Sequence, residues 1–400
     1  MIDFSLTEEQ KHIQRMAKSF AKEHIRPHAS QYDEEETFPR DILELAHKIG
    51  LTHLMYPKEY GGHGMEDPYI PLILAEELAW GCAGINTVIT SSYLPAEAIF
   101  ALGTREQQER FIPLFCDKEN LRIGAMALTE PEAGSNVSSL KTRAVQVGDR
   151  YVINGTKKFI GNGGIADLHV VFAKVRDEDG LDTIAPFVVT HQEKKGLSIL
   201  RKDKKMGIRA THTAEITLEN VEVPLENRLC KGKTSREEYK GMLLMLNRTR
   251  PLVAAAAVGV AKAAFEYAAE YAQNRLQFNK PIIEHQGVAF LLADMSVKID
   301  AARLLTWQAC AAGIHKTDNG FEASKAKLFS AETAREVTAN AVQIVGGNGY
   351  LRDHPVEKWM RDAKIFEIWE GTSEIQKLNI NRYIKKFFSG KDGAPCLSKR

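Results

Sequence analysis

The middle of the chain constrains the fold most. From Lys141 to Pro224 short β-prone runs follow one another between turns, with no helical pattern among them. KTRAVQV, the Gly148–Asp149 pair and RYVIN read as a hairpin. LHVVFAKV (Leu168–Val175), IAPFVVT (Ile184–Thr190), GLSIL (Gly196–Leu200) and AEITLENVEV (Ala214–Val223) continue the series. Strands at this spacing predict a small antiparallel barrel or sandwich. Both flanks carry helical periodicity instead. Thr7 and Gln10 make a capping-box pattern ahead of the stripe Ile13, Met16, Ala17, Phe20 and Ala21, which Pro27 is expected to end. Further helical stretches are expected near Pro39–Lys48, Tyr69–Trp80, Pro95–Leu102 and Arg105–Leu114. After Ser235 come Glu237–Asn274, His285–His315, Phe321–Val345 and Pro355–Phe388, long enough and close enough together for a four-helix bundle. The expected class is mostly α with a middle β-domain: a helical domain over 1–123, a β-domain over 124–234 and a helical bundle over 235–400, its tail KDGAPCLSKR frayed.

Composition narrows the function. With 53 Lys and Arg against 52 Asp and Glu, bulk charge gives no reason to expect a nucleic-acid partner. The five cysteines (Cys82, Cys116, Cys230, Cys310, Cys396) are dispersed and odd in number, which reads as reduced thiols. MIDFSLTEEQ lacks a signal-peptide pattern, so a cytoplasmic location is expected. The weakly polar run Leu252–Ala261 falls far short of the roughly 20 residues of a membrane span and reads as a buried helix. No HExxH or close His/Cys cluster suggests a metal. There is no P-loop and no GxGxxG after a strand, and Ser135 in EAGSN lacks the strand-to-helix elbow of a nucleophile.

Four spots could carry chemistry. TEPEAGSN (Thr129–Asn136) offers backbone N–H groups and hydroxyls, and alone reads as a surface loop. FIGNGG (Phe159–Gly164) alone reads as turn residues closing the first hairpin, and QIVGGNGY (Gln343–Tyr350) as a helix C-cap and loop. In WEGTSEIQ (Trp369–Gln376), Glu370 sits beside an aromatic ring where Gly371 marks a helix break. It reads either as a solvated loop glutamate or as a desolvated carboxyl with a raised pKa, usable as a base.

Taken together, TEPEAGSN, NGTKKFIGNGG, NRTRP, NRLQFNKP, AVQIVGGNGY and MRDAKIFEIWEGTSEIQ, in this order, resemble the acyl-CoA dehydrogenase family, from about Phe4 to Ile384. The resemblance implies an N-terminal helical domain, a middle β-domain and a C-terminal four-helix bundle. It implies bound FAD, a homotetramer, and oxidation of the Cα–Cβ bond of an acyl-CoA thioester to a trans-2-enoyl-CoA. The β-hydrogen would leave as hydride to flavin N5, and electrons would pass to an electron-transfer flavoprotein.

Residue by residue, Glu370 matches the family's catalytic base. Some relatives place the base at the position of Thr249, which is not acidic here. Asn247 and Arg250 resemble acyl-CoA contacts, and Trp369 and Gly371 would border the thioester. Met126, Leu128, Thr129, Ser135, Phe159 and Gly161 match flavin-contact positions, and Ser135 also a CoA contact. Arg275, Gln277 and Phe278 resemble residues that hold the FAD pyrophosphate and adenine across a subunit interface, with Gln343, Gly346 and Gly347 as the partner subunit's contribution. Thr372 and Glu374 complete the cofactor set.

This chain also departs from the family. Gly161 stands where relatives have a Thr whose hydroxyl bonds the flavin near N5, Asn279 replaces a Gly, and Glu374 replaces a frequent Gln. Gly84 stands near the position of an Arg in relatives that act on glutaryl-CoA, which argues against that way of binding a terminal carboxylate, although Arg248 could meet an acidic tail. Two other functions compete: a catalytically retired binding subunit on the same scaffold, and a related flavin enzyme such as a desulfinase or monooxygenase. The latter typically lack the glutamate of the EGT motif.

Overall fold

The computed structural model describes residues 5–65, 67–176, 180, 182–230, 234–315 and 318–389; Cys396 and the KDGAPCLSKR tail lie outside them. Contacts divide the chain into two compact units: residues 1–26, 68–83 and 246–400 in one, and 27–67 and 84–245 in the other.

The first unit is helical. Helix α1 (Glu8–Phe20) opens on the expected capping box, with the Gln10 N–H donating to Thr7 Oγ1 at 3.2 Å and the Thr7 N–H to Gln10 Oε1 at 3.0 Å. Its stripe buries Ile13, Ala17 and Phe20. Pro27 does not end the helical path. A π-turn (Ala21–Ile25) and a 3-10 turn (Arg26–His28) follow α1 in the chain, and then α2 (Ala29–Glu35), which belongs to the second unit. At the start of a short turn the missing proline N–H has no intrahelical partner to lose, so the penalty that stops a regular helix does not arise.

Helix α3 (Arg40–Lys48) belongs to the second unit and α4 (Ile70–Gly81) to the first. Most of α8 (Ser235–Asn274) packs in the first unit, with α9 (Gln286–His315), α10 (Gly320–Val345), α11 (Val356–Ala363) and α12 (Ser373–Phe388). Small side chains let these helices approach closely: Ala254, Ala309 and Ala326 form one buried cluster, with Leu305 packed on it. A Cβ at Gly259 would lie 2.1 Å from the Glu76 carbonyl oxygen, so only glycine lets α8 and α4 meet there. Helix α8 is long and apolar enough to cross a membrane, but 61% of its apolar window is buried inside the protein, consistent with a core helix. The expected Pro355–Phe388 stretch is two helices, α11 and α12, separated by a 3-10 turn (Lys364–Glu367) and a non-helical break.

The second unit holds α5 (Ala83–Thr90), α6 (Tyr93–Leu102) and α7 (Arg105–Phe111) and a seven-stranded sheet. Its strands are β1 (Gly124–Ala127), β2 (Arg143–Val147), β3 (Arg150–Gly161), β4 (Leu168–Arg176), β5 (Asp182–Thr190), β6 (Leu197–Lys202) and β7 (Thr213–Pro224). They run β1-β4-β2-β3-β7-β6, with β5 also on β4. The β2–β3 hairpin turns at Gly148–Asp149 as expected. The sheet is mixed, however, because β1 and β2 both pair parallel to β4, which no strand-by-strand pattern reveals. FIGNGG does not close the first hairpin. Ile160 and Gly161 are still paired, with Ala214 and Thr213 of β7, and the turn begins only at Asn162.

That turn is pinned from several sides. Asn162, at φ 57°, donates through Nδ2 to Ser91 Oγ (2.8 Å) and the Gly124 carbonyl (3.0 Å). His169, itself fully buried on β4, accepts the Gly164 N–H through Nε2 at 3.0 Å. Burial pulls the His169 pKa from 6.5 down to about 3. The unfolded chain therefore binds a proton that the folded one refuses. This stability is whole above about 6.5 and is lost as pH falls toward about 3. His169→Gln keeps an acceptor but does not titrate in this range. Urea denaturation between pH 7 and 4 should show a shallower decline for the variant, by up to about 1.4 kcal/mol per pH unit.

Candidate active site

Between α11 and α12 two consecutive residues are left-handed, Glu370 at φ 53° and Gly371 at φ 89°. Glycine tolerates this region, whereas for glutamate it costs on the order of 1 kcal/mol or more and persists only where surroundings enforce it. Four side-chain bonds from the helices of the first unit do so. Arg250 Nε donates to the Glu370 carbonyl at 3.2 Å, and Gln376 Nε2 to the carbonyls of Glu370 (3.1 Å) and Gly371 (2.8 Å). Lys327 Nζ donates to the Gly371 carbonyl at 2.7 Å. Thr372 then caps α12, its Oγ1 accepting the Ile375 N–H at 3.3 Å.

The carboxyl of Glu370 accepts a 3.0 Å hydrogen bond from Thr249 Oγ1. Burial raises its pKa above the ordinary carboxylate value; the Arg250 guanidinium, the Thr249 hydroxyl and the Lys327 ammonium pull the other way. Burial lowers the Arg250 pKa, with Glu370, Tyr383 and Asp318 opposing. Arg250 is fixed in turn through Nη1 to Asn247 Oδ1. Asn247 Nδ2 donates to Asp318 Oδ1 at 3.0 Å, and the Tyr383 hydroxyl to Asp318 Oδ2 at 2.7 Å. Pro251 follows inside α8, where its ring removes the helical donor to the Asn247 carbonyl. Trp369 packs edge-on against Phe366, and its Nε1 is buried with no hydrogen-bond partner among the described residues. This arrangement can accept a proton at Glu370 and offers an aromatic wall and a buried cation beside it. Arg248 is exposed.

Elsewhere in the same unit, β8 (Leu276–Gln277) and β9 (Lys280–Pro281) form a small hairpin after α8. Arg275, Gln277, Phe278, Gly346 and Gly347 line one cavity of about 420 Å³. Phe278 is left-handed (φ 53°) and 88% exposed, and a Cβ at Gly346 or Gly347 would meet nothing within 4 Å. A guanidinium, free glycine backbone and an uncovered aromatic ring suit the phosphates and ring of a nucleotide. Gln343, in the last turn of α10, is exposed and is not among the residues lining this cavity. Glu374 is exposed in the first turn of α12, its pKa held down by its own backbone N–H and the Thr372 hydroxyl.

In the second unit Met126 lies in β1, and Leu128, Thr129 and Ser135 follow in the loop after it. That loop is anchored by a lysine with no exposed surface. Lys157 Nζ donates to the Leu128 carbonyl at 3.0 Å and to Glu130 Oε1 at 2.8 Å, and the Lys158 N–H to the Thr129 carbonyl at 2.8 Å. Burial pulls the Lys157 pKa to about 8 against the pull of Glu130. Phe159 sits left-handed (φ 60°) where the β3–β7 register shifts, and 62% of it is exposed. A Cβ on Gly161 would meet nothing within 4 Å.

Several residues here escaped the sequence reading. Thr249 was weighed only as a position lacking a carboxylate, yet its hydroxyl bonds one. Lys327, Gln376 and the Lys157–Glu130 pair carried no motif of their own. Glu130, Lys157 and Gln376 lie inside the TEPEAGSN, NGTKKFIGNGG and WEGTSEIQ motifs, but nothing in those motifs singles them out, and Lys327 lies in none of them.

With helical segments before and after a mixed β-sheet, and a half-buried glutamate on a helix break of the bundle, the fold is that of a known class of flavin oxidoreductase. Residues 7–119 match the acyl-CoA dehydrogenase N-terminal domain, 125–221 its middle domain and 240–385 its C-terminal domain. A short-chain specific acyl-CoA dehydrogenase of Clostridium acetobutylicum is 41% identical over 388 residues, 95% of this chain and 99% of that protein. Butyryl-CoA dehydrogenase from Megasphaera elsdenii superposes with a TM-score of 0.90 at 34% identity, over 96% of this chain and 100% of that one. A chain from the structure of the electron transferring flavoprotein of Acidaminococcus fermentans does so with a TM-score of 0.90 at 36% identity, over 96% and 99% of the two chains. The chain belongs to the acyl-CoA dehydrogenase family and is an enzyme of that class.

The break itself is testable. A Cβ on Gly371 would stand 2.7 Å from Gln376 Nε2 at a φ that L-residues rarely adopt. Gly371→Ala should lower unfolding stability by about 1–3 kcal/mol, read by chemical denaturation.

Proposed function

We propose that this chain catalyses FAD-dependent α,β-dehydrogenation of an acyl-CoA thioester to the trans-2-enoyl-CoA, with Glu370 as the general base. The observation that carries the reading is the Glu370 carboxyl itself. It is held on a left-handed break, bonded to Thr249, and raised in pKa by burial. A proton α to a thioester is weakly acidic, so a base of raised pKa in a fixed position suits its removal. The acyl-CoA loses this proton to Glu370 and a hydride from Cβ, which leaves the double bond. Bound FAD would supply the hydride acceptor.

The other assignments follow the family's motifs. Asn247, Arg250, Trp369 and Gly371 would contact the acyl-CoA near the thioester, with Ser135 touching CoA. Arg275, Gln277, Phe278, Gln343, Gly346, Gly347, Thr372 and Glu374 would hold the nucleotide part of FAD. Met126, Leu128, Thr129, Ser135, Phe159 and Gly161 would contact the flavin. The Arg275 and Phe278 side of the cavity supports the first of these cofactor sets; Gly346 and Gly347 line the same cavity from this chain, whereas the motif reading brings them to the cofactor from the partner subunit. Gly84 disfavours a side chain of any length at its position, since a Cβ there would already lie 3.3 Å from Ala210 Cβ. That supports a substrate other than one whose terminal carboxylate is bound from this point. The likeness to a chain from an electron transferring flavoprotein structure supports such a protein as electron acceptor. We further propose a homotetramer, and domain limits at 1–123, 124–234 and 235–400.

Glu370→Gln tests the reading. The purified wild type should be yellow and bleach on addition of an acyl-CoA. The variant should stay yellow and bleach at least about 100-fold more slowly. In the wild type the bleaching rate should rise with pH through an inflection above the ordinary carboxylate range, because only the ionised carboxylate accepts the proton. Normal bleaching by the variant would place the base elsewhere. A protein that binds no flavin would favour the binding-subunit alternative.

A further inference from the structure

Lys327 is an unusual residue to find on a bundle helix. It lies on α10 at 1% exposure, among the largest fully buried side chains in the protein. Lysine is almost never fully buried unless paired, because desolvating an ammonium is costly. Yet among the described residues no carboxylate forms an ion pair with it, and its hydrogen bond goes to the carbonyl of Gly371, the residue after the proposed base. An apolar side chain would fill this space without the desolvation cost. The charge therefore needs a reason at this spot.

The surrounding charges supply one. The groups that face Lys327 electrostatically are Glu370, Arg250, Glu367 and Glu374. Arg250 repels it. Glu367 is held by Arg335 at 2.9 Å and Lys364 at 2.6 Å, and Glu374 is exposed and also faces Lys377. Glu370 is the acidic group in this set that is neither saturated by other cations nor exposed to solvent, and it feels Lys327 and Arg250 in return. Two further groups, Asp318 and Tyr383, act on Arg250.

We propose that Lys327 is a positioning residue for the dehydrogenation: its ammonium fastens the left-handed Glu370–Gly371 break and supplies positive potential that keeps the base ionised. This rests on the reading of Glu370 as the base and adds to it a second residue, from a different helix, that acts through it. Two roles are separable here. The N–H···O=C bond to Gly371 holds the backbone, and the charge acts on the carboxyl. Burial lowers the pKa of Lys327 to about 8, so the cation is present at neutral pH and is lost in mildly alkaline solution.

The experiment separates these roles. Lys327→Gln keeps a donor for the Gly371 carbonyl and removes the charge, Lys327→Met removes both, and Lys327→Arg keeps both. The Glu370 carboxyl is titrated by infrared difference spectroscopy against Glu370→Gln, without substrate, and acyl-CoA bleaching of the flavin is followed across pH. In Lys327→Gln the Glu370 titration should move to higher pH, and bleaching at pH 6 should fall about tenfold while recovering toward the wild-type rate at pH 9. Lys327→Arg should restore the wild-type titration. An unshifted Glu370 titration in both Lys327→Gln and Lys327→Met overturns the proposal, whatever their melting temperatures. Collapse of both folds also overturns it, since Lys327 would then be structural. Failure of the base reading looks different: Glu370→Gln would bleach normally while the infrared titration still registered the lysine's field.

Discussion

The architecture of the site depends on a pair of backbone carbonyls. Glu370 and Gly371 turn left-handed where the chain passes from α11 to α12, and their carbonyls accept donors from Arg250 on α8, Lys327 on α10 and Gln376 on α12. A glutamate at φ 53° is unfavourable in isolation, and it persists because three helices over-determine it. The same grip puts the carboxyl beside Thr249 and in the field of two buried cations, Arg250 and Lys327. Strain, desolvation and positive charge are thus imposed on one residue by the packing that forms the bundle. Opposed effects on its acidity result, burial raising the pKa and the cations and hydroxyl restraining it.

A comparable device recurs in the other unit. There Lys157 is buried with Glu130 and donates to the Leu128 carbonyl, so the start of the TEPEAGSN loop is held by a buried ion pair while Ser135 further along is exposed. Next to it, Asn162, His169 and His212 fix the turn after β3 through hydrogen bonds to Gly124, Gly164 and Gly163. In both units buried polar groups are spent on backbone that could not otherwise keep its conformation. Such networks are costly if half satisfied, and these are not complete: His169 Nδ1 and Trp369 Nε1 are buried with no partner among the described residues. The helices that carry the first of them can come close because their contacts are made by alanine and glycine, as at Ala254, Ala309, Ala326 and Gly259.

Much of the fold was legible because its signals are local. The capping box at Thr7, the β2–β3 hairpin at Gly148–Asp149 and the long apolar periodicity of α8 to α10 each depend on residues a few positions apart. Pro27 misled because a proline stops a regular helix but is accommodated where π and 3-10 turns intervene. The parallel pairing of β1 and β2 with β4 was hidden because strand direction is set by partners tens of residues away. FIGNGG read as a turn because its glycines suit one, yet its first half stays in the sheet with Phe159 bulged.

By itself the sequence determined the order of helical and β segments, the family, and the glutamate with a glycine behind it at a helix break. All of these are properties of short windows or of motifs in series. Tertiary structure alone decided which side chains meet at that break. Thr249 and Arg250 come from α8, Lys327 from α10 and Gln376 from α12, and no spacing along the chain brings these three helices together. The reason is physical: a donor reaches a carbonyl across a packed interface according to how the helices cross, and the field at a buried carboxyl is a sum over charges that are neighbours only in space.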